Sequence, residues 1–141
     1  MIKEAKNAAD RQLCLDLRMQ VFVQEQGIAL EDEIDDLDDV ASHFLAYSDD
    51  TALGTARIIW KDETAKIGRL CVSDTVRGSG LGVALVQHCI DVARTRPDIT
   101  RAELGAQCHA IGFYEKLGFT VFGPIYDDAG IDHRDMQLVF S

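Results

Sequence analysis

The apolar positions fall into blocks whose spacing changes along the chain. Residues 1–6 predict a short first strand. Leu13, Leu17 and Val21 then recur every four residues, with Cys14 and Phe22 widening the stripe. That period predicts a helix over 8–26, stopped at Gly27. Three strand-like blocks follow at 42–47, 53–61 and 65–72, rich in β-branched and aromatic residues. Polar connections at Asp49-Asp50 and Lys61-Asp62-Glu63 make them an antiparallel meander. A helix is expected over 80–94, where Leu81, Leu85, Cys89 and Val92 line one face. Val86, Ile90 and Ala93 add a second face, so this helix should be deeply buried against a sheet. Residues 99–104 predict a further strand, 110–117 a short helix closed by Gly118, and 119–122 and 136–140 two final strands. The sum is a mixed α/β (α+β) domain over 1–141. The two prolines, Pro97 and Pro124, are expected at element ends.

Length and composition narrow this picture. At 141 residues, 47% hydrophobic and 27% charged, the chain has enough apolar content for one core and too much for disorder. No apolar run approaches the roughly 18 residues of a membrane helix. Met1-Ile2-Lys3-Glu4 opens into mixed charge rather than a secretory signal. The four cysteines, Cys14, Cys71, Cys89 and Cys108, lack zinc or thioredoxin spacing. They are expected as free thiols in the cytoplasm, with no metal site.

The net charge is −10, and seven of the nine residues over 31–39 are acidic. Such a balance excludes nucleic acid as a natural partner. The acidic run lacks the glycine and terminal Glu of a calcium loop. It is expected to be a solvated, self-repelling loop, or else a collar that draws in a cationic acceptor.

Candidate chemistry concentrates where a strand meets a helix, at Val72-Ser73-Asp74-Thr75-Val76-Arg77-Gly78-Ser79-Gly80-Leu81-Gly82. Glycines let backbone N–H groups face a ligand without interference from a Cβ. The helix start adds free N–H groups and partial positive charge, and Arg77 adds a full charge. Together they make a phosphate cradle. The spacing is neither that of a P-loop nor that of a dinucleotide fingerprint.

Arg77-x-x-Gly80-x-Gly82 after a strand resembles the pyrophosphate motif of the GCN5-related N-acetyltransferases. Phe113-Tyr114-Glu115-Lys116-Leu117-Gly118-Phe119 resembles that family's tyrosine-bearing helix and following turn. Val21-Phe22-Val23-Gln24-Glu25-Gln26, the acidic run, Ala106-Gln107 and His133-Arg134-Asp135-Met136 are similar to the small bacterial ElaA-like branch. The resemblance implies a mostly antiparallel central sheet of about six or seven strands with about four helices. It also implies transfer of an acetyl group from acetyl-CoA directly to a primary amine of a small molecule or peptide. Under it, Arg77, Gly78, Ser79, Gly80, Leu81 and Gly82 would hold the pyrophosphate. Leu70, Cys71 and Val72 would align the pantetheine, with the Val72 N–H polarising the thioester. Gln107 stands where many relatives carry Asn, and Tyr114 where they carry a general acid.

The amine must lose a proton before attack. Glu25, His43, His109 and His133 are candidate bases, with Glu25 and His133 the two carried forward; the sequence does not choose between them, and His88 reads as structural. A nucleophilic Cys71 or Cys108 would imply an acyl-enzyme. A silent acyl-CoA-binding sensor remains the competing reading from another class. Either a monomer or a homodimer fits, since the late strands could pair across two copies.

Overall fold

The apolar blocks become seven strands and four helices. In chain order these are β1 (Ile2–Glu4), α1 (Ala8–Arg18), α2 (Leu30–Glu33), β2 (Ser42–Ser48), β3 (Thr51–Lys61), β4 (Thr64–Val72), α3 (Leu81–Arg94), β5 (Arg101–Gln107), α4 (Ile111–Glu115), β6 (Thr120–Asp128) and β7 (Ile131–Val139). The computed structural model describes residues 1–140. One sheet holds all seven strands in the order β1-β2-β3-β4-β5-β7-β6. Every neighbouring pair is antiparallel except β4 with β5, which α3 connects as a crossover.

The two-faced apolar helix does what its pattern requires. Val86, Cys89, Ile90 and Ala93 of α3 share the main core with Phe44, Ile58, Ile67, Leu104 and Met136 from five strands. Each large side chain buried there is worth about 1.5–3 kcal/mol.

Two features of this sheet create the site. β4 and β5 pair only at Thr64, Ala65 and Lys66, opposite Arg101, Ala102 and Glu103. Past Ile67 no ladder joins them, so the central strands open into a cleft. β4 also bulges. Thr55 faces Cys71 and Arg57 faces Gly68, so β4 carries one extra residue, and Arg69 takes a left-handed φ of 52°. A non-glycine residue held there costs about 1–3 kcal/mol, which marks a shaped position.

Several boundaries differ from expectation. The helix over 8–26 is α-helical only to Arg18, capped by Asn7 accepting from the Asp10 N–H at 2.7 Å, and widens to a π-helix over Met19–Glu25. β5 extends to Gln107, and β6 and β7 are far longer than 119–122 and 136–140. Pro124 lies inside β6, not at an end, within a bulge between Phe122 and Tyr126. β6 is an edge strand, so the missing proline N–H breaks no central ladder.

The acidic run is solvated only in part: Glu31, Asp32, Asp36 and Asp39 are exposed, but Glu33, Asp35 and Asp38 are paired inside the fold, so self-repulsion is not its state. It forms α2 and a 3-10 turn over Asp36–Asp39, and it folds onto three arginines. Buried Arg18 donates from Nε to Glu33 Oε1 at 2.6 Å and from Nη1 to Asp38 Oδ1 at 2.8 Å. Arg57 Nη1 reaches both Asp35 and Asp38 at 2.8 Å. Arg69 Nε lies 3.2 Å from Glu33 Oε2. Three of the seven carboxylates are thereby neutralised within the fold, which removes them from any collar for a cation.

Candidate active site

The cleft between β4 and β5 holds a cavity of about 480 Å³. Its walls come from the bulged part of β4 (Gly68, Arg69, Leu70), from β5 (Glu103, Gly105, Gln107), and from β6 and β7 (Tyr126, His133, Asp135). Phe22 and Gln26 of the π-helical segment and Tyr114 of α4 close the remaining sides.

The glycine turn stands at the start of α3, and none of residues 77–82 lines this cavity. Gly78 and Gly80 take φ of 84° and 88°, the left-handed region that favours glycine. A Cβ at either position would meet nothing within 4 Å, so the surface above them is open. Gly80 is the N-cap and offers no side chain, which leaves the first-turn N–H groups of Leu81 and Gly82 without an acceptor. Gly82 packs on α4, where a Cβ would lie 3.4 Å from the Phe113 ring. Open space, free N–H donors and an adjacent guanidinium fit a diphosphate.

Arg77 does not yet point its whole charge outward. Its Nη2 donates to Glu25 Oε1 at 2.6 Å and to the Val72 carbonyl at 3.3 Å. Glu25 is thus engaged by the turn and does not line the cavity.

The candidate bases separate by geometry. His43 Nε2 is 2.8 Å from the Asp38 carbonyl, and His88 packs edge-on against Phe44, both away from the cavity. His109 lines it but donates from Nε2 to Gln107 Oε1 at 2.7 Å. Gln107 in turn donates to Gln26 Oε1 at 3.1 Å, so its amide joins β5 to the first helical segment. His133 lines the cavity, and its Nδ1 is 2.8 Å from the Ile131 carbonyl. A carbonyl only accepts, so Nδ1 carries a hydrogen, and in the neutral ring the lone pair is on Nε2. Among the described residues that Nε2 has no hydrogen-bond partner, and the ring lines the cavity.

Tyr114 lines the cavity from α4, and its hydroxyl makes no hydrogen bond among the described residues. Burial pushes its phenol up to about 12, so it stays protonated across the neutral range. Cys71 is enclosed by Leu17, Val21 and Phe22, and burial pushes its thiol up to about 12, which suits packing and not nucleophilic attack. All four cysteines are free.

Comparison with known proteins settles the family. The model of the acetyltransferase (GNAT) domain matches residues 5–140. The chain belongs to the GNAT acetyltransferase family. Protein ElaA of Escherichia coli K12 is 34% identical over 126 residues, covering 86% of this chain and 82% of ElaA. The ElaA crystal structure superposes with a TM-score of 0.87 over 97% of both chains. An acyl-CoA N-acyltransferase from Pseudomonas aeruginosa superposes at 0.86, with 28% identity over 97% of both chains. An aminoglycoside 6'-N-acetyltransferase complexed with coenzyme A shares the GNAT fold at a TM-score of 0.77 and 16% identity, covering 99% of this chain and 96% of that one.

Of the residues singled out in the sequence, Leu70, Gln107, Tyr114 and His133 line the cavity, whereas Glu25, Cys71, Val72 and the turn 77–82 do not. Sequence reasoning missed Gly105 and Tyr126, which belong to no local motif, and it gave Asp135, though quoted within His133-Arg134-Asp135-Met136, no role. Their only signal was a glycine within an apolar strand. Among the described residues, no group of three or more His, Cys, Asp or Glu side chains is arranged to hold a metal, and no helix is long and apolar enough to cross a membrane.

Proposed function

We propose that this GNAT protein transfers an acetyl group from acetyl-CoA directly to a primary amine of a small molecule or peptide, working in the cytoplasm, where its four free thiols would stay reduced. One observation carries the reading: His133 on β7 and Tyr114 on α4 line one cavity, and the open glycine turn packs through Gly82 on the Phe113 ring of that same α4.

Each residue then has a task. The turn 77–82 takes the diphosphate on main-chain N–H groups, with Arg77 supplying charge. Leu70, Cys71 and Val72 lie where β4 has no β5 partner, so main-chain groups there are available to the pantetheine. The Val72 N–H is assigned to the thioester oxygen, a donor aimed at developing negative charge. Gln107, bridged between Gln26 and His109, borders the same channel.

His133 Nε2 takes the amine proton, and the amine nitrogen attacks the acetyl carbonyl carbon. The C–S bond breaks as the thiolate receives the Tyr114 hydroxyl proton; the acylated nitrogen then gives up its remaining extra proton, which restores the phenol, and His133 releases its own proton to solvent. The acetylated amine and coenzyme A are the products. Glu25 is assigned to holding Arg77 in place of acting as base, because its carboxylate is already paired.

The test is thiol release from acetyl-CoA across a panel of primary amines. Release that depends on the amine supports transfer. Tight acetyl-CoA binding with no release under any amine would make the protein a sensor and contradict the proposal.

A further inference from the structure

Gly105 sits in the middle of β5, where glycine weakens a strand, yet its backbone does not need to be glycine, since its φ is not positive. Space explains it. A Cβ there would lie 2.4 Å from the Tyr126 hydroxyl oxygen. Tyr126 belongs to β6 and faces His133 across the ladder, while Asp135 of β7 faces Gly105. The tyrosine therefore reaches diagonally across β7 and sets its hydroxyl in the space that Gly105 leaves. From there it donates to Asp135 Oδ1 at 2.9 Å. Its ring stacks on His133, with centroids 5.8 Å apart and planes 27° from parallel. His133 and Asp135 are two residues apart on one strand, so both face the cavity.

We propose that Gly105, Tyr126 and Asp135 form a brace for the acceptor amine, in which Asp135 Oδ2 docks the ammonium and Tyr126 fixes both that carboxylate and the His133 ring. The assignment rests on the acetyl-transfer reading. Tyr126 satisfies one carboxylate oxygen and leaves the other for the ligand. A charge-assisted N–H···O bond at that oxygen would hold the acceptor next to the imidazole that receives its proton. Burial, with the Asp135 carboxylate adding to it, pushes the Tyr126 phenol up, so the hydroxyl remains a donor at any working pH. Tyr126 is a positioning residue; Asp135 touches substrate.

The test compares full-length wild type, Gly105→Ala, Tyr126→Phe, the Gly105→Ala/Tyr126→Phe double variant and Asp135→Asn. Long-range proton–nitrogen NMR reads the His133 tautomer without any turnover. Wild type should show one imidazole state with hydrogen on Nδ1. Gly105→Ala should displace the Tyr126 ring and disturb that signal. The double variant should restore it, because without the hydroxyl the new methyl meets Tyr126 Cζ and Asp135 Oδ1, each at 3.7 Å, which are ordinary contacts. If Gly105→Ala alone does not fold, recovery of fold and signal in the double variant is still the expected result. An undisturbed signal in Gly105→Ala, or no recovery in the double variant, overturns the brace. With whichever amine of an alkylamine, spermidine and lysyl-peptide panel is turned over, Asp135→Asn should raise its KM about tenfold or more, the size of one charge-assisted bond, with little change in kcat or in acetyl-CoA KM. An unchanged amine KM overturns the docking role. Absence of turnover with every amine would instead sink the transfer reading, and the NMR comparison would still decide the brace.

Discussion

Arg77 Nη2 lies 2.6 Å from Glu25 Oε1, which ties the glycine turn to the end of the π-helical segment. The Arg77 side chain is 45% exposed, so this is a surface pair of the kind worth about 0–1 kcal/mol. A diphosphate carrying two or more charges can outcompete it. Glu25→Gln should therefore leave stability nearly unchanged and bind acetyl-CoA at least as tightly, measured by denaturation and calorimetry. A loss of turnover of about a hundredfold or more with binding intact would make Glu25 the base after all.

Tyr114→Phe removes a proton donor without removing the ring that packs on Phe113 and Phe119. Turnover should fall by about tens to thousands-fold while acetyl-CoA affinity holds. Because the phenol sits near 12, its deprotonation should not limit the rate at neutral or mildly basic pH. Wild-type turnover in the phenylalanine variant would remove Tyr114 from the acid role.

Arg18 is 1% exposed and its partner Glu33 2% exposed, so the pair is a buried ion pair. Burial is the largest influence on Glu33 and pushes its carboxyl up, against the pull of Arg18 and Arg69. Removing one partner strands the other's charge in the interior. Arg18→Met should cost about 3–5 kcal/mol, and Arg18→Met/Glu33→Leu should recover part of that, read from urea denaturation. Equal losses in the single and double variants would mean that the stranded charge is not the cause.

These arginines show where the sequence stops being legible. The acidic run reads as self-repelling because its partners, Arg18, Arg57 and Arg69, lie far from it in sequence and each looks like an ordinary charged residue. The α3 helix and the turn before it were readable because period and motif are local. β6 was not: Pro124 read as an element end, although on an edge strand it lies within a bulge. The parallel β4–β5 split, which opens the cleft, depends on pairing across 101–103 and has no local sign. For the same reason Tyr126 escaped notice, and Asp135 was quoted only beside His133 with no role of its own, while the motif-borne Tyr114 was given one.

The arginine cluster also predicts an acid response. The Arg57 guanidinium holds the Asp35 carboxyl down at about 2, below its ordinary value near 3.8. A depressed carboxyl contributes stability that is present above its unfolded value and lost as pH falls through the folded one. The stability gap between wild type and Asp35→Asn should be full at pH 5 and narrow from about pH 4 towards 2. A gap independent of pH over that range would show that Asp35 acts by packing and not by charge.

The central claim is that the turn 77–82 grips the diphosphate of an acyl-CoA. Calorimetric titration of acetyl-CoA into wild type, Arg77→Glu and Tyr114→Phe tests it most directly. The account predicts saturable one-site binding to wild type and Tyr114→Phe, and binding weakened by about tenfold or more in Arg77→Glu, where a charge-assisted contact becomes repulsion. No binding to wild type, or equal binding to all three, would contradict it.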